Sequence, residues 1–391
     1  MKTINGLTAL ALILLALAIG PGTARATGGG QPLEAVVWAP TSGPDALWYD
    51  ALGGLKTAAA LFNAHGGIGG RPLSVAEVLI SEDDPDFFGR LAPLLERPNV
   101  VAAVGGPVHF RAAETAEFMS RMNRPWLGPW SNEKELYQGG AGDPFAVLPP
   151  WNLEMPALLG FIKEAFEAEP ARSGPVFLVF YNFPRQQEMA ARTREMAAGL
   201  GLDLKRAPIN PDFSDWDYLS RHIQGAQAVI VWLSQGGSAA FLKAAKSRHP
   251  EAIYLTNSVN ATNRNLVVLS GGAWNGVVFP AVLKPSSEIP PAYDAVVRKY
   301  GPVGLDGGYQ TYLGFAQGQI LARALSLASG RDSRNLTRNL YDMKGFPTLL
   351  AAEVDYAPSR HVNPGSFYLG QARGNGHWER AALPPPLKKE P

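Results

Sequence analysis

The sequence predicts an α/β fold of two units, each a mainly parallel sheet with helices on both faces. Three features of the chain point there. Short apolar runs alternate with amphipathic stretches along most of its length. The rhythm stops at Pro144, Pro149 and Pro150 and then restarts. A chain of 391 residues with 46% apolar content and no cysteine must also be held by a large core, most simply one split over two units.

In the first unit Leu33–Trp38 reads as a strand. Residues 51–65 place Leu52, Leu55, Ala59 and Phe62 at helical spacing, and Gly66-Gly67 supplies the stop, since glycine accepts the left-handed conformation. Strands follow at 73–80, 100–104 and 126–128, with a helix at 112–121. This βαβαβα order implies parallel pairing. After the proline break, Pro156 is expected to open the next helix. Strands are then predicted at 176–180, 203–207, 228–233, 253–256 and 276–280, and helices at 186–199, 214–223, 238–247 and 262–269. Ser214-Asp215-Trp216-Asp217 resembles a capping box with Asp in place of the usual Glu or Gln. Residues 307–328 form a long helix with small and apolar residues on most faces, and 335–343 a shorter one. Short strands are expected at 348–354, 366–370 and 377–380, then a disordered tail, 384–391, with four prolines and three charges.

The first residues read as a secretory signal: Lys2, an apolar run from Leu7 to Ile19, and Ala24-Arg25-Ala26 as a cleavage site. Cleavage after Ala26 would send the protein to the periplasm. Lys+Arg 35 then loses Lys2 and Arg25, so Asp+Glu 34 exceeds it by one. That balance argues against a nucleic-acid binder and offers no polybasic handle for a lipid surface. Without cysteine there is no lipid-modified N-terminal cysteine, no Cys-based metal site and no thiol nucleophile.

Ligands of open α/β sheets bind beyond the carboxyl ends of the strands. The loops expected there are rich in aromatic and hydrogen-bonding residues. They hold Ala39–Pro44 with Leu47-Trp48-Tyr49, Gly105-Gly106-Pro107-Val108-His109, and Pro129-Trp130-Ser131-Asn132 in the first unit. In the second they hold Tyr181-Asn182-Phe183, Ser234-Gln235-Gly236-Gly237, and Asn257-Ser258-Val259-Asn260. Glycines there would let a ligand approach the backbone, free N–H groups of a following helix would favour an anion, and Asn, Gln and Ser would fix orientation. Trp126 and Trp232, inside strands, read as core. Trp48, Trp130 and Tyr181 lie just outside strands, where core and cleft roles are both open, as local pairing and ligand contact are for His109. Arg111 falls in a first helical turn, where a cation is disfavoured.

From Gly54 to Leu73, through Asn63-Ala64-His65-Gly66-Gly67-Ile68-Gly69-Gly70-Arg71-Pro72, the chain resembles the leucine/isoleucine/valine-binding group of type I periplasmic binding proteins. Glu82-Asp83-Asp84-Pro85, Val104-Gly105-Gly106 through Ala116, Pro125–Pro129 and Tyr309–Ala316 are similar to later parts of that family. The resemblance implies two Rossmann-like lobes, a three-strand hinge, Tyr309 on a site-bordering helix, and an ABC permease as partner. It implies crossings near Pro149, near Pro280–Lys284 and between Asp355 and Asn363. Lobe 1 would then be 27–149 with 284–358, and lobe 2 would be 150–283 with 362–383. Periodicity by itself does not reveal that return. Where amino-acid binders of the family carry a Ser-rich loop for the α-carboxylate, this chain has His109-Phe110-Arg111. Their Ala-Thr after the fourth strand is Ser131-Asn132, their tyrosine-glycine pair is missing near Pro184-Arg185, and no acidic residue for an ammonium stands in Asn257–Asn260. The solute expected is small and organic: amino-acid-like, amide, or aromatic/carboxylate.

No metal, cofactor or catalytic group is expected. Gly67-Ile68-Gly69 follows a helix, not a strand, and so fails as a dinucleotide loop. The histidines at 65, 109, 222, 249, 361 and 377 lack metal spacing. Gly236-Gly237-Ser238-Ala239-Ala240 superficially matches a nucleophile elbow, but Ala240 replaces the last glycine, and Ser238 reads as a helix N-cap. A monomeric solute receptor closing on its ligand is the reading. The alternatives are a ligand sensor of the same fold feeding a membrane kinase or chemoreceptor, and, more distantly, a serine hydrolase.

Overall fold

A computed structural model describes residues 31–40, 48–109, 111–137, 144–261, 264–327, 333–362 and 367–384. The expected signal sequence, Thr41–Pro44 and Leu47, Phe110, and residues 385–391 of the tail lie outside these. The chain divides into two compact units, Met1–Pro150 with Val282–Phe367, and Trp151–Ala281 with Tyr368–Pro391. It passes from one to the other after Pro150, Ala281 and Phe367, where the sequence suggests passages near Pro149, at Pro280–Lys284 and between Asp355 and Asn363.

The first segment of unit 1 runs β1 (Leu33–Ala39), α1 (Trp48–Ala64), β2 (Leu73–Leu79), α2 (Phe87–Leu95), β3 (Val100–Val104), α3 (Ala112–Met122) and β4 (Trp126–Leu127). The sheet is parallel in the order β2-β1-β3-β4. Chain direction across the sheet reverses between β1 and β3, which makes a topological switch point at their carboxyl ends. α1 stops as the glycines require, with Gly66 at φ 96 and Gly67 at φ 71. Helix α2 was not evident from the sequence: Gly89 and Pro93 interrupt its nine residues, yet Phe87, Leu91 and Leu95 bury one face. They pack with Trp38, Met119 and Trp126 to form the core of this segment.

Unit 2 begins with α4 (Trp151–Ala168) and continues β5 (Val176–Tyr181), α5 (Pro184–Gly199), β6 (Leu204–Ile209), α6 (Trp216–His222), β7 (Ala228–Trp232), α7 (Gln235–Arg248), β8 (Ile253–Thr256), α8 (Arg264–Leu269) and β9 (Val278–Ala281). Three local expectations need correction. Pro156 lies inside α4 rather than opening it. The cap of α6 is Asp215, whose side chain accepts from Tyr218 N, so Ser214 is not the cap. The cap of α7 is Ser234, which leaves Ser238 one turn inside and fully buried. Buried faces of α4 and strands β5 and β7, with Leu158, Ile162, Phe180 and Ile230, form the core.

The chain then returns to unit 1 as α9 (Ala292–Tyr300), α10 (Tyr309–Ser326) and α11 (Ser333–Asp342), and ends in unit 2 as β10 (Tyr368–Ala372) and β11 (Trp378–Arg380). Helix α9 follows Pro290-Pro291 and was not anticipated. The strand expected at 348–354 is only two isolated bridges, Leu283 to Leu350 and Phe346 to Val354. Helix α10 is buried on nearly every face and lies directly on α1. Bare backbone makes this possible: a Cβ at Gly314 would stand 1.8 Å from Ala51 O, and one at Gly54 1.9 Å from Thr311 O. Strands β10 and β11 extend the second sheet antiparallel, in the order β11-β10-β9-β8-β7-β5-β6.

Candidate functional site

Unit 1 gathers four tryptophans around the carboxyl ends of its strands. Trp38 and Trp126 lie 5.2 Å apart, and Trp48 stacks on Trp130 at 5.1 Å with planes 5° apart. Three of the indoles are tied down: Trp38 Nε1 donates to Pro107 O at 3.1 Å, Trp126 Nε1 to Gly105 O at 2.7 Å, and Trp130 Nε1 to Gln317 Oε1 at 3.1 Å. Gln317 in turn donates to Gly128 O at 2.7 Å. The Gly105-Gly106 turn was expected to clear space for a ligand. Its glycines clear space for indoles instead, since a Cβ at Gly105 would come within 2.5 Å of Trp130 and one at Gly106 within 2.2 Å of Trp38. Both also need positive φ, 65 and 85.

The anion expected at the N-terminus of α3 is supplied by the chain. The Glu82 carboxylate accepts from His109 N at 3.0 and 2.8 Å and from Arg111 N at 3.3 Å. Its side chain is buried, and the helix N-terminus and these N–H groups compensate its charge. Arg111 precedes α3, donates from Nη1 to Asp84 O at 3.4 Å and lies over the Phe88 ring. Ser131 Oγ accepts from Glu133 N at 3.2 Å. Tyr49 donates to Pro40 O at 2.8 Å, and burial, then the Glu77 charge, raise its hydroxyl's pKa. Tyr309 is buried at the start of α10, where its hydroxyl accepts from Val282 N at 2.7 Å.

In unit 2 the sheet order reverses between β5 and β7, and the loops after those strands meet. Tyr181 and Ser234 share a hydroxyl–hydroxyl bond of 2.9 Å across this switch point. Gly237 leaves room for the phenol, because a Cβ there would lie 2.6 Å from the Tyr181 oxygen. Gln235 donates to Val259 O at 3.0 Å, and Asn257 Oδ1 accepts from Asn260 N at 2.9 Å. Asn260 Nδ2 reaches Leu233 O at 2.7 Å and Ser238 Oγ at 3.1 Å, which fixes Ser238 in a buried network rather than at a nucleophile's exposed turn. Below it Glu154, fully buried in α4, accepts from Ser258 Oγ at 2.5 Å and Ser258 N at 3.2 Å. Unit 2 thus repeats the device of unit 1, an internal carboxylate on the backbone of a strand-tip turn.

Several buried polar atoms at these loops have no hydrogen-bond partner: Trp48 Nε1 and Asn132 Nδ2 in unit 1, Gln235 Oε1 and Asn260 Oδ1 in unit 2. Arg185 Nη1 and Gln186 Oε1, in the first turn of α5, share that condition. Leaving a buried polar atom unpaired costs about 1–3 kcal/mol, so these groups are available to water or to another molecule.

Sequence reasoning placed Trp48, Tyr49, Gly106, His109, Trp130, Ser131 and Asn132 at one sheet edge and Tyr181, Gln235 and Asn257 at the other. It missed Glu82 and Glu154. The signal for the first was visible as the acid after β2; a lone acid inside an otherwise apolar helix face was the signal for the second. Among the described residues no group of three His, Cys, Asp or Glu could hold a metal ion, and no helix is long and apolar enough to cross a membrane.

Asp50, in the first turn of α1, has its carboxyl pKa raised by burial and then by Asp306. A raised folded-state pKa means that ionisation costs stability above the unfolded carboxylate's pKa and nothing below it. Asp50→Asn is therefore expected to raise the melting temperature at pH 7 by on the order of 2 °C. The gain should fade as pH falls through the carboxylate range. Thermal melts of both proteins across pH check this, and equal melting at pH 7 would contradict it.

No curated protein sequence matches this chain. Solved structures do. A branched chain amino acid ABC transporter protein from Thermus thermophilus with bound valine superposes with a TM-score of 0.76 at 17% identity, over 92% of this chain and 98% of that one. A fatty acid ABC transporter substrate-binding protein from Thermomonospora curvata gives 0.73 at 13%, over 93% and 94%. A solute-binding protein from R. palustris in complex with 4-hydroxybenzoate gives 0.69 at 14%, over 90% and 96%. These likenesses establish the fold. The sequence profile of one family, described as periplasmic binding protein, matches residues 33–377. With parallel-sheet units, switch-point loops and this match together, the chain belongs to the periplasmic binding protein family, whose fold is that of solute-binding proteins.

Proposed function

We propose that the mature chain works in the periplasm as the capture component of an ABC importer. A small organic solute is taken by the strand-tip loops of both units, shifts a hinge equilibrium toward a closed form, and is presented to an inner-membrane permease. Binding, not turnover, is the whole task. The ligand contacts we assign are Trp48, Tyr49, His109, Trp130, Ser131, Asn132 and Tyr309 in unit 1, and Tyr181, Gln235 and Asn257 in unit 2. The observation that carries the reading is the match of residues 33–377 to the periplasmic binding protein family.

The relatives named above hold valine or 4-hydroxybenzoate or are named for fatty acids, so an amino acid, an aromatic carboxylate and a fatty acid make the first probe set. The loop departures at His109–Arg111 and Ser131-Asn132 weigh against a standard branched-chain amino acid. Mass spectrometry of protein exported to the periplasm should find a co-purified small molecule. X-ray scattering of the monomer should show a smaller radius of gyration with that molecule than without. No compaction with a bound, verified solute would count against the hinge.

A further inference from the structure

We propose that Glu82 is a specificity-determining residue that fills the anion-binding backbone of unit 1, so that this unit receives an uncharged acceptor group of the solute and not a carboxylate. The proposal rests on the solute-capture reading for the solute itself, and on the geometry of unit 1 for its charge.

Four observations concern the strand tips of unit 1. The N–H groups of His109 and Arg111, the ones a bound carboxylate would use, already donate to Glu82. Arg111, the cation beside them, is turned to Asp84 O and the Phe88 ring. The loops that carry these groups are bonded to the neighbouring strands: Ile80 N donates to Ala39 O at 2.9 Å and Trp130 N to Gly106 O at 3.1 Å. At the start of α1 and after β4, Trp48 Nε1 and Asn132 Nδ2 are buried N–H donors without partners, in residues only 1% and 4% exposed.

The chemistry follows from charge. A carboxylate seeking those N–H groups would have to displace the Glu82 carboxylate or lie beside it, and like charges repel. A carbonyl, amide or hydroxyl oxygen would meet no such repulsion and would satisfy two neutral donors that otherwise stay unpaired. Sites built to hydrogen-bond a particular group reject analogues that leave their buried polar atoms unpaired. Any anionic group on the solute is thereby turned away from unit 1.

Two arms test this on the mature chain. In the first, thermal melts of wild type and Glu82→Ala are compared in sodium acetate, in sodium chloride of the same ionic strength, and in that sodium chloride with acetamide added. Truncation to alanine removes the atoms of an acetate. Wild type should ignore acetate beyond the salt control. Glu82→Ala should melt lower and regain at least part of the loss in acetate, not in acetamide. Stabilisation of wild type by acetate, or a variant blind to acetate, overturns the proposal. If Glu82→Ala does not fold, Glu82→Ser, which also vacates the place of the carboxylate, carries the same comparison.

In the second arm, retention of the molecule co-purified with exported protein is measured for Trp48→Phe, Asn132→Ala and Arg111→Gln. The first two should each hold it about tenfold less tightly, the loss of one buried hydrogen bond. Arg111→Gln should hold it as wild type does. Loss in Arg111→Gln with none in Trp48→Phe marks a carboxylate at unit 1 and overturns the proposal. A protein that retains no solute speaks against the capture reading, while the acetate comparison still decides the role of Glu82.

Discussion

Gly314→Ala is expected to lower stability by about 3 kcal/mol or more, because overpacking at a rigid contact has no cheap relief. The new methyl would stand 1.8 Å from Ala51 O, 2.6 Å from its carbonyl carbon and 3.0 Å from its Cα. All three are backbone atoms of α1, so no side chain can swing away. Helices α1 and α10 must separate, and the contact from Gly54 to Thr311 O opens with them. The better helix propensity of alanine returns only about 1 kcal/mol. The melting temperature should fall by roughly 6–12 °C. Gly160→Ala is the control: it lies mid-helix in α4 with nothing within 4 Å of its added Cβ, and should melt at or slightly above wild type. Equal melting of the two variants would refute the account of the helix contact.

The second large effect is expected at Glu154. Its side chain is fully buried, and it holds both the backbone N–H and the hydroxyl of Ser258. Glu154→Ala leaves those donors unsatisfied and opens a void beneath the β8 turn, at a cost of about 3–5 kcal/mol. Glu154→Gln keeps one acceptor oxygen, so its loss should be about half as large. Urea unfolding of the three proteins gives the order wild type, Gln, Ala. Because Ser258 adjoins Asn257 and the network from Asn260 to Ser238, solute retention should fall in the same order. An alanine variant as stable as wild type would remove Glu154 from the framework of the site.

Much of the architecture could be read from residues because parallel strands buried on both faces are plain apolar runs. Val100–Val104 and Ala228–Trp232 stand where their composition puts them. Helices α2 and α9 escaped because both are short and proline-flanked or proline-containing, so that tertiary burial of Phe87, Leu91, Val296 and Val297 decides them. The 348–354 segment looked like a strand by composition, but its backbone pairs only through single bridges. At the strand tips, residue type marked the loops while pairings stayed hidden. Gly106 looked like ligand clearance and is clearance for Trp38. The free helix N-terminus before α3 looked open to a guest and is taken by Glu82, distant by 27 residues. Ser238 looked like a cap because Gly236-Gly237 precedes it, yet Ser234 makes the bond to Gly237 N. The first two misses depend on partners brought in from elsewhere in the chain, which local pattern does not encode; the third turns on which of two nearby serines starts the helix.

The interleaving of the two units sets an order of events for a nascent chain. Helix α1 is made early, with a bare glycine face, but α10, the element that covers it, comes only after unit 2 has been made through β9. Unit 2 in turn waits for residues 368–380, since β10 and β11 complete its sheet. Neither half can therefore mature as an N-terminal fragment, and closing such long loops makes native contacts slow to nucleate. Completion is a late, whole-chain event, and a truncated product would be left with an uncovered apolar groove for chaperones or proteases to find.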